Sequence, residues 1–432
     1  MSKERTNNLL AAGISLVLLL PLLQYSFKFI TERPLQGAVT LEQDVNFSIA
    51  GWKNEDYQSG KEKYLNQAFG FRNYLVRLNN QLYFSLFNIA KAKGVVVGKD
   101  DYLFEETYIN DYTGASFVGQ QRINDVVRRL TAIDSIFKKE NKTLAVVLTP
   151  GKATFYPEYI PDHFNRVNDS TNYKRYREAF MSSGIHFIDF NSYFLSLKGT
   201  TLFPIYPKTG IHWSDYGAVL AMDSLNNYLG AVRDYDPVEI YWTEYNQNDS
   251  ISDIDADIED GMNILFDIQK PRYRYPLLQY DDYGSRRPKV MVVGDSFYRN
   301  IFFRGISDKV FDSPGFGYYF KEMHSPFIGG VNDIASIDVK GLLDKYEVVI
   351  LMVSEATLLN FPYDFDKIVY GLYCTDLSDP EVFKIRVQQM ENNIRNSPEW
   401  LKSVTDKAKA NNKTVEEMIH IDALYMIQQQ VN

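Results

Sequence analysis

Apolar residues run almost unbroken from Leu9 to Leu23 and, less purely, on to Ile30. As a helix this run would extend about 33 Å, enough to cross a bilayer core. Lys3 and Arg5 precede it, and no small-x-small cleavage site follows in Ser26-Phe27-Lys28-Phe29-Ile30-Thr31-Glu32-Arg33. The pattern therefore favours an uncleaved signal anchor over a removed signal peptide. Lys28 and Arg33 on the far side blunt the charge-bias argument for orientation. Nothing later is apolar enough to span, so the rest of the chain is expected on one side, the export side.

Beyond the anchor the periodicities change in order. Residues 34–60 read as irregular and polar. Lys61 to Lys93 reads as one helical stretch, with Phe69, Tyr74, Leu75, Leu78, Leu82, Tyr83, Leu86 and Phe87 at helical spacing. Gly94 to Phe104 reads as a hairpin turning near Lys99–Asp101. Then helix and strand patterns alternate. Helices are predicted over Arg122–Glu140, over Thr171–Ser183 and from Ser214 onward. Strands are predicted at Leu144–Leu148, Ile185–Ile188, Val290–Val293 and Glu347–Val353. A polar, acidic insertion spans Asp249–Asp260. Such alternation predicts an α/β fold, a mostly parallel sheet with helices on both faces. From Pro380 the pattern is helical to the end, two or three helices read as a cap or interaction surface. The expected organisation is an anchor (1–30), a leading segment with helix and hairpin (31–115), the α/β domain (116–365) and a helical extension (366–432).

Composition narrows the chemistry. A net charge of −9 argues against a general nucleic-acid binder. One cysteine, Cys374, precludes an internal disulfide, and with five histidines it leaves no metal-ligand spacing. The stretch Lys289-Val290-Met291-Val292-Val293-Gly294-Asp295-Ser296-Phe297 then stands out. A buried strand ends in a glycine turn, and Ser296 falls just past its carboxyl end, where open α/β sheets place reactive groups. The plain alternative is a strand–turn–helix junction that Asp295 or Ser296 merely caps. A nucleophilic serine needs a base. His212, in Lys208-Thr209-Gly210-Ile211-His212-Trp213-Ser214-Asp215, lies on a loop leading straight into a helix that Ser214 can cap. Its plain alternative is a structural histidine stacked on Trp213. The other four histidines fall in less suitable places.

Gly294-Asp295-Ser296 with the upstream His212-Trp213 resembles the SGNH-hydrolase-like O-acetyltransferases of the AlgJ/AlgX type, which act in export-side acetylation of alginate and related exopolysaccharides. The flanks agree: Val97-Gly98-Lys99-Asp100-Asp101-Tyr102-Leu103-Phe104 is similar to the family's N-terminal hairpin. Thr149-Pro150-Gly151-Lys152 with Tyr156-Pro157-Glu158-Tyr159-Ile160-Pro161 is similar to the segment after its first domain strand. The resemblance spans roughly residues 50–365 in the family's order. It implies that Ser296 is acylated, that His212 takes the serine proton and later activates a sugar hydroxyl, and that the backbone N–H of Ser296 contributes to an oxyanion hole. It implies an exported polysaccharide as substrate and a multi-spanning membrane acyltransferase as partner. It also implies an inner-membrane anchor with the main domain in the periplasm, and no organic or metal cofactor.

One position departs from the family. The motif is Asp-x-His-Trp, whose acid orients the histidine; here Gly210 stands in its place, and Thr209 is not acidic either. A triad without its acid can lose about 10⁴ in turnover. Asp215, Asp189 or Glu355 could substitute, a backbone carbonyl could hold His212, or the protein could be a weak or inactive relative that binds polysaccharide. Glu355, expected just past the strand Glu347–Val353, is the first acid to test. Asn332, in Gly330-Val331-Asn332-Asp333, matches an oxyanion-donor block of SGNH esterases and is a second candidate for that hole. The sequence leaves transferase, export-side esterase and binding protein all open.

Overall fold

The computed structural model describes residues 3–37, 42–165, 168–246, 251–374 and 377–429. The chain divides into two compact units. The first comprises Met1–Glu105 with Lys208–Ile211 and Ala256–Lys270. Its helix α1, Lys3–Phe27, contains a segment, Arg5–Phe27, long and apolar enough to cross a membrane. The single helix expected over 61–93 is two helices, α2 (Asp56–Ala68) and α3 (Arg72–Phe87). The break has a local cause. A side chain at Gly70 would place its Cβ 2.1 Å from the Pro21 carbonyl, so only glycine admits this approach to α1. The Glu32 carboxylate then accepts the N–H groups of Phe71 (2.8 Å) and Asn73 (3.0 Å), capping α3 from outside it. The hairpin pairs β1 (Val95–Val97) with β2 (Leu103–Glu105), its turn at Lys99–Asp101 as the sequence predicts. Val97 and Leu103 pack with Ile258, Met262, Ile264 and Ile268 in this unit's own core.

The second unit comprises Glu106–Pro207, His212–Asp255 and Pro271–Asn432. The strands β3 (Thr143–Thr149), β4 (His186–Asp189), β5 (Glu239–Tyr241), β6 (Gln279–Asp281), β7 (Lys289–Gly294), β8 (Asp312–Tyr318), β9 (Glu322–His324), β10 (Val331–Asp333) and β11 (Val348–Ser354) follow in chain order. All but the β5–β6 pair form one seven-stranded sheet, ordered β10-β9-β8-β7-β11-β3-β4. From β8 to β4 every pairing is parallel; β9 and β10 add an antiparallel edge. The mostly parallel α/β sheet is therefore as expected. Every residue of β3 and β11 is buried, which is why these central strands read as continuous apolar runs without alternation.

Helices α4 (Gln120–Lys139), α5 (Asn172–Ser183), α6 (Phe190–Leu197), α7 (Asp215–Arg233) and α8 (Ser296–Phe303) accompany the sheet. On α4 the stripe Ile123, Val126, Leu130, Ile133 and Phe137 is fully or nearly buried, and it packs with β3, β11 and α5. The predicted N-cap of α7 is in place, Ser214 accepting from Gly217 N; Thr171, read from the sequence as the first residue of α5, is in fact its N-cap and accepts from Lys174 N. The acidic insertion resolves into turns and a short helix, Asp257–Met262; its first two residues lie outside the described set.

After α9 (Phe365–Tyr373) come three helices, α10 (Pro380–Asn396), α11 (Pro398–Ala410) and α12 (Val415–Gln428). They share a small apolar cluster around Ile394, Val404, Ile419 and Ile427. A buried charge network joins this extension to the domain. Arg129 on α4 donates through Nε to Asp366 on α9 at 2.7 Å and through a terminal nitrogen to Glu381 on α10 at 2.6 Å. Removing the guanidinium would strand a buried carboxylate. Arg129→Met is therefore expected to lose about 3–5 kcal/mol in urea unfolding. A loss under about 1 kcal/mol would mean that the network contributes no more than a surface pair.

Candidate active site

The site is built where β7 ends. Gly294 closes the strand opposite Met352 of β11, and a Cβ there would meet the Met352 carbonyl at 2.9 Å. The chain then turns at Asp295 into α8, whose first residue is Ser296. Asp295 is fully buried and ties three pieces together. Its Oδ1 accepts the Phe297 N–H at 3.0 Å, capping α8; its Oδ2 accepts the Ser354 N–H at 2.8 Å and the Thr357 hydroxyl at 2.7 Å. The aspartate of the Gly-Asp-Ser turn thus holds the turn to the end of the neighbouring strand and is itself walled off from substrate.

His212 reaches this turn from the loop before α7. Its Nε2 lies 2.9 Å from Ser296 Oγ, a hydrogen bond between residues 84 positions apart. Trp213 is fully buried and packs edge-on against Phe297 at 5.1 Å between ring centroids, with Phe190 and Phe194 behind it. Phe297 also meets the His212 ring edge-on at 5.1 Å. The residues following the serine and the histidine are therefore the two halves of one aromatic contact, which brings the loops together. With His212 neutral and Nε2 unprotonated, the serine hydroxyl donates to the ring, the arrangement that general-base activation requires.

Residues 95–239 match the family model described as the SGNH hydrolase-like domain of acetyltransferase AlgX. A "Probable alginate O-acetylase AlgJ" of Pseudomonas syringae pv. tomato is 25% identical over 192 residues, covering 44% of this chain and 47% of that protein. One of the same name from Azotobacter vinelandii is 26% identical over 227 residues, covering 51% and 53%. The chain is thus similar to AlgJ and AlgX over part of its length. It spans about half the length of these curated relatives. Among solved structures it is similar to the O-acetyltransferase domain of Pseudomonas putida AlgJ, at 14% identity and TM-score 0.42, covering 65% of this chain and 99% of that domain.

The acids that the sequence offers in place of Gly210 are each engaged by other groups. Glu355 is fully buried just past β11, but it leans toward β3 and α6. Thr154 Oγ1 donates to it at 2.5 Å, and Asn191 Nδ2 donates to its other oxygen. Burial, and secondarily the nearby Asp111, push its carboxyl well above the ordinary range, which disfavours the charged form that would pair with an imidazolium. Asp215 is the first residue of α7 and pairs with Arg304. Asp189 caps α6 through Ser192 N (3.1 Å) and accepts from Arg177 (2.7 Å) and Tyr173 (3.0 Å). Asp189 alone takes a local N–H; Glu355 and Asp215 are held by side chains from elsewhere in the chain. Asn332 precedes a short helix, Ile334–Ser336, but itself lies on β10, an edge strand of the sheet. This is three strands from β7, roughly 14 Å across the sheet, and its amide donates to the carbonyls of Ile328 and Gly329 in its own hairpin.

One neighbour of Ser296 escaped the sequence reading. Tyr319 follows β8, and its N–H bonds the Gly294 carbonyl at 2.9 Å. It sits in the left-handed region at φ +50°, as does Phe320, an uncommon conformation for an aromatic residue. Burial, then the charge of Asp295, raise the Tyr319 phenol above its ordinary range, while the nearby Ser296 side chain opposes them. A neutral phenol beside the nucleophile can donate to an oxygen that gains charge there. The signal, Gly317-Tyr318-Tyr319-Phe320, carries meaning only once β8 is known to neighbour β7.

Two measurements follow. Tyr319→Phe should slow the modification of Ser296 by a sulfonyl fluoride roughly 3- to 10-fold, about the worth of one neutral hydrogen bond; an unchanged rate would exclude the phenol from the site. Asp111 accepts from Ser116 and Asn172, both at 2.8 Å, yet burial lifts its carboxyl to about 6. A raised carboxyl stabilises the fold below its unfolded value near 3.8 and loses that contribution as pH rises through 6. Asp111→Asn should therefore gain up to roughly 3 kcal/mol on wild type between pH 4 and 7, at about 1.4 kcal/mol per pH unit. Parallel stability–pH curves for the two proteins would contradict this.

Proposed function

We propose that this protein is a serine-dependent O-acyltransferase, with acetyl as the acyl group and a hydroxyl of an exported polysaccharide as acceptor. The observation that carries the reading is the 2.9 Å contact between Ser296 Oγ and His212 Nε2 at the carboxyl end of β7. In the first step Ser296 Oγ attacks the acyl carbonyl while its proton passes to His212 Nε2. The carbonyl–leaving-group bond breaks, and the leaving group departs with that proton. In the second step the sugar hydroxyl attacks the acyl-serine, its proton passes to Nε2, and the ester bond to Oγ breaks with return of the proton to Ser296. The Ser296 N–H and the Tyr319 phenol serve the developing oxyanion. Water in place of the sugar would make the same site an esterase, so acceptor orientation and exclusion of water decide the outcome.

α1 acts as a single-pass inner-membrane anchor in this reading, with the following domain in the periplasm. A multi-spanning membrane acyltransferase supplies the acyl group from the other side. The AlgJ proteins that the chain resembles are named for alginate, which supports a polysaccharide as the acceptor class.

Gly210 supports a second reading, a polysaccharide-binding protein that keeps the fold with little turnover. Hydrolysis of a chromogenic acetyl ester separates the two. The first predicts turnover that falls at least about 10³-fold in both Ser296→Ala and His212→Ala, with acetylated product when an oligosaccharide is added. Turnover absent in wild type, or equal in the two variants and wild type, would reject it in favour of binding.

A further inference from the structure

The first unit carries a surface that this chemistry does not use. One face of α3 is held by polar bonds. Arg77 donates to the Pro34 carbonyl at 2.8 Å and Asn80 to the Met262 carbonyl at 2.8 Å. Gln81 Oε1 accepts the N–H groups of Leu265 and Phe266 at 3.1 and 3.0 Å. The opposite face presents Leu75, Leu78, Leu82 and Leu86 at helical spacing, 46, 45, 49 and 67% exposed. Single exposed leucines are ordinary; four in line on one helix mark a contact surface.

What lies beside this face identifies its partner. Leu75 and Leu78 line an apolar groove together with Val17, Leu20 and Pro21 of α1. Those three residues fall inside the segment Arg5–Phe27 that is apolar enough to span. The turn before α3 is locked onto the end of that segment through Gly70. The leucine face of α3 thus continues the exposed apolar surface of α1. Arg72 at one end of the helix, with Lys91 and Lys93 just past the other, supplies the cationic flanks of an interfacial helix.

We propose that α3 lies in the membrane–water interface, with Leu75, Leu78, Leu82 and Leu86 against lipid acyl chains beside the exit of α1. The proposal rests on the reading of α1 as a membrane anchor. A single spanning helix lets its unit swivel; a second apolar contact fixes the tilt of that unit on the bilayer.

The test uses the full chain in phospholipid nanodiscs, with Cys374→Ala as background. The environment-sensitive fluorophore NBD is attached to Leu82→Cys or Leu86→Cys, to Leu16→Cys within the span, and to Met181→Cys, which is 63% exposed, as the aqueous reference. Labels at 82 and 86 should emit to the blue of the label at 181 and be quenched by lipids with nitroxides high on the acyl chain. Aqueous emission at 82 and 86 with quenching at 16 would overturn the interfacial helix and leave the anchor standing. Blue emission without lipid quenching would mean that protein covers the leucines, and would overturn it as well. No quenching at 16 would remove the anchor and the proposal together. In the unsubstituted protein, a diazirine-bearing phospholipid should label the peptide 72–87; labelling confined to α1 would place α3 outside the interface and overturn the proposal.

Discussion

A carboxylate that never meets substrate holds this site together. Asp295 caps the helix that starts with Ser296 and pins the turn to Ser354 and Thr357 beyond β11. The serine hydroxyl therefore rises from a junction of two buried central parallel strands and a helix. Precision at Ser296 depends on that junction. A proton shared across 2.9 Å tolerates little backbone drift, and a turn fixed at three points supplies the needed rigidity.

The second requirement is that a loop distant in sequence arrives at the same place. The aromatic residues after the histidine and the serine, Trp213 and Phe297, meet each other in the core. The imidazole and hydroxyl ride on that contact, so the geometry of the Ser296–His212 pair and hydrophobic packing are coupled. The pairing of His212 with Trp213 has a mechanical reason here: the indole is the anchor that sets the depth of the loop.

Much of the framework was legible in the sequence because long periodic elements announce themselves. The continuous apolar runs of β3, β7 and β11, the helix α4 and the cap at Ser214 all follow from local pattern. Ser296 and His212 were legible because a glycine turn after a buried strand and a loop before a capped helix both mark strand-end chemistry. What the sequence concealed is pairing. Glu355 follows the right strand but leans toward the far side of it, and Asp215 and Asp189 are drawn to helix starts and cationic neighbours. Tyr319 is close to Ser296 only because β8 lies beside β7. The break at Gly70 was masked by apolar spacing that runs straight through it, since periodicity does not register the close approach of another backbone.

The account's central claim is that Ser296 becomes covalently acylated, and trapping that species tests it most directly. Intact-mass analysis after rapid mixing with an activated acetyl ester, followed by peptide mapping, should find one added acetyl group, located on Ser296 and absent in His212→Ala at the same mixing time. Ester turnover without any acetyl-protein at early times, or an acetyl group on a different residue, would contradict the claim.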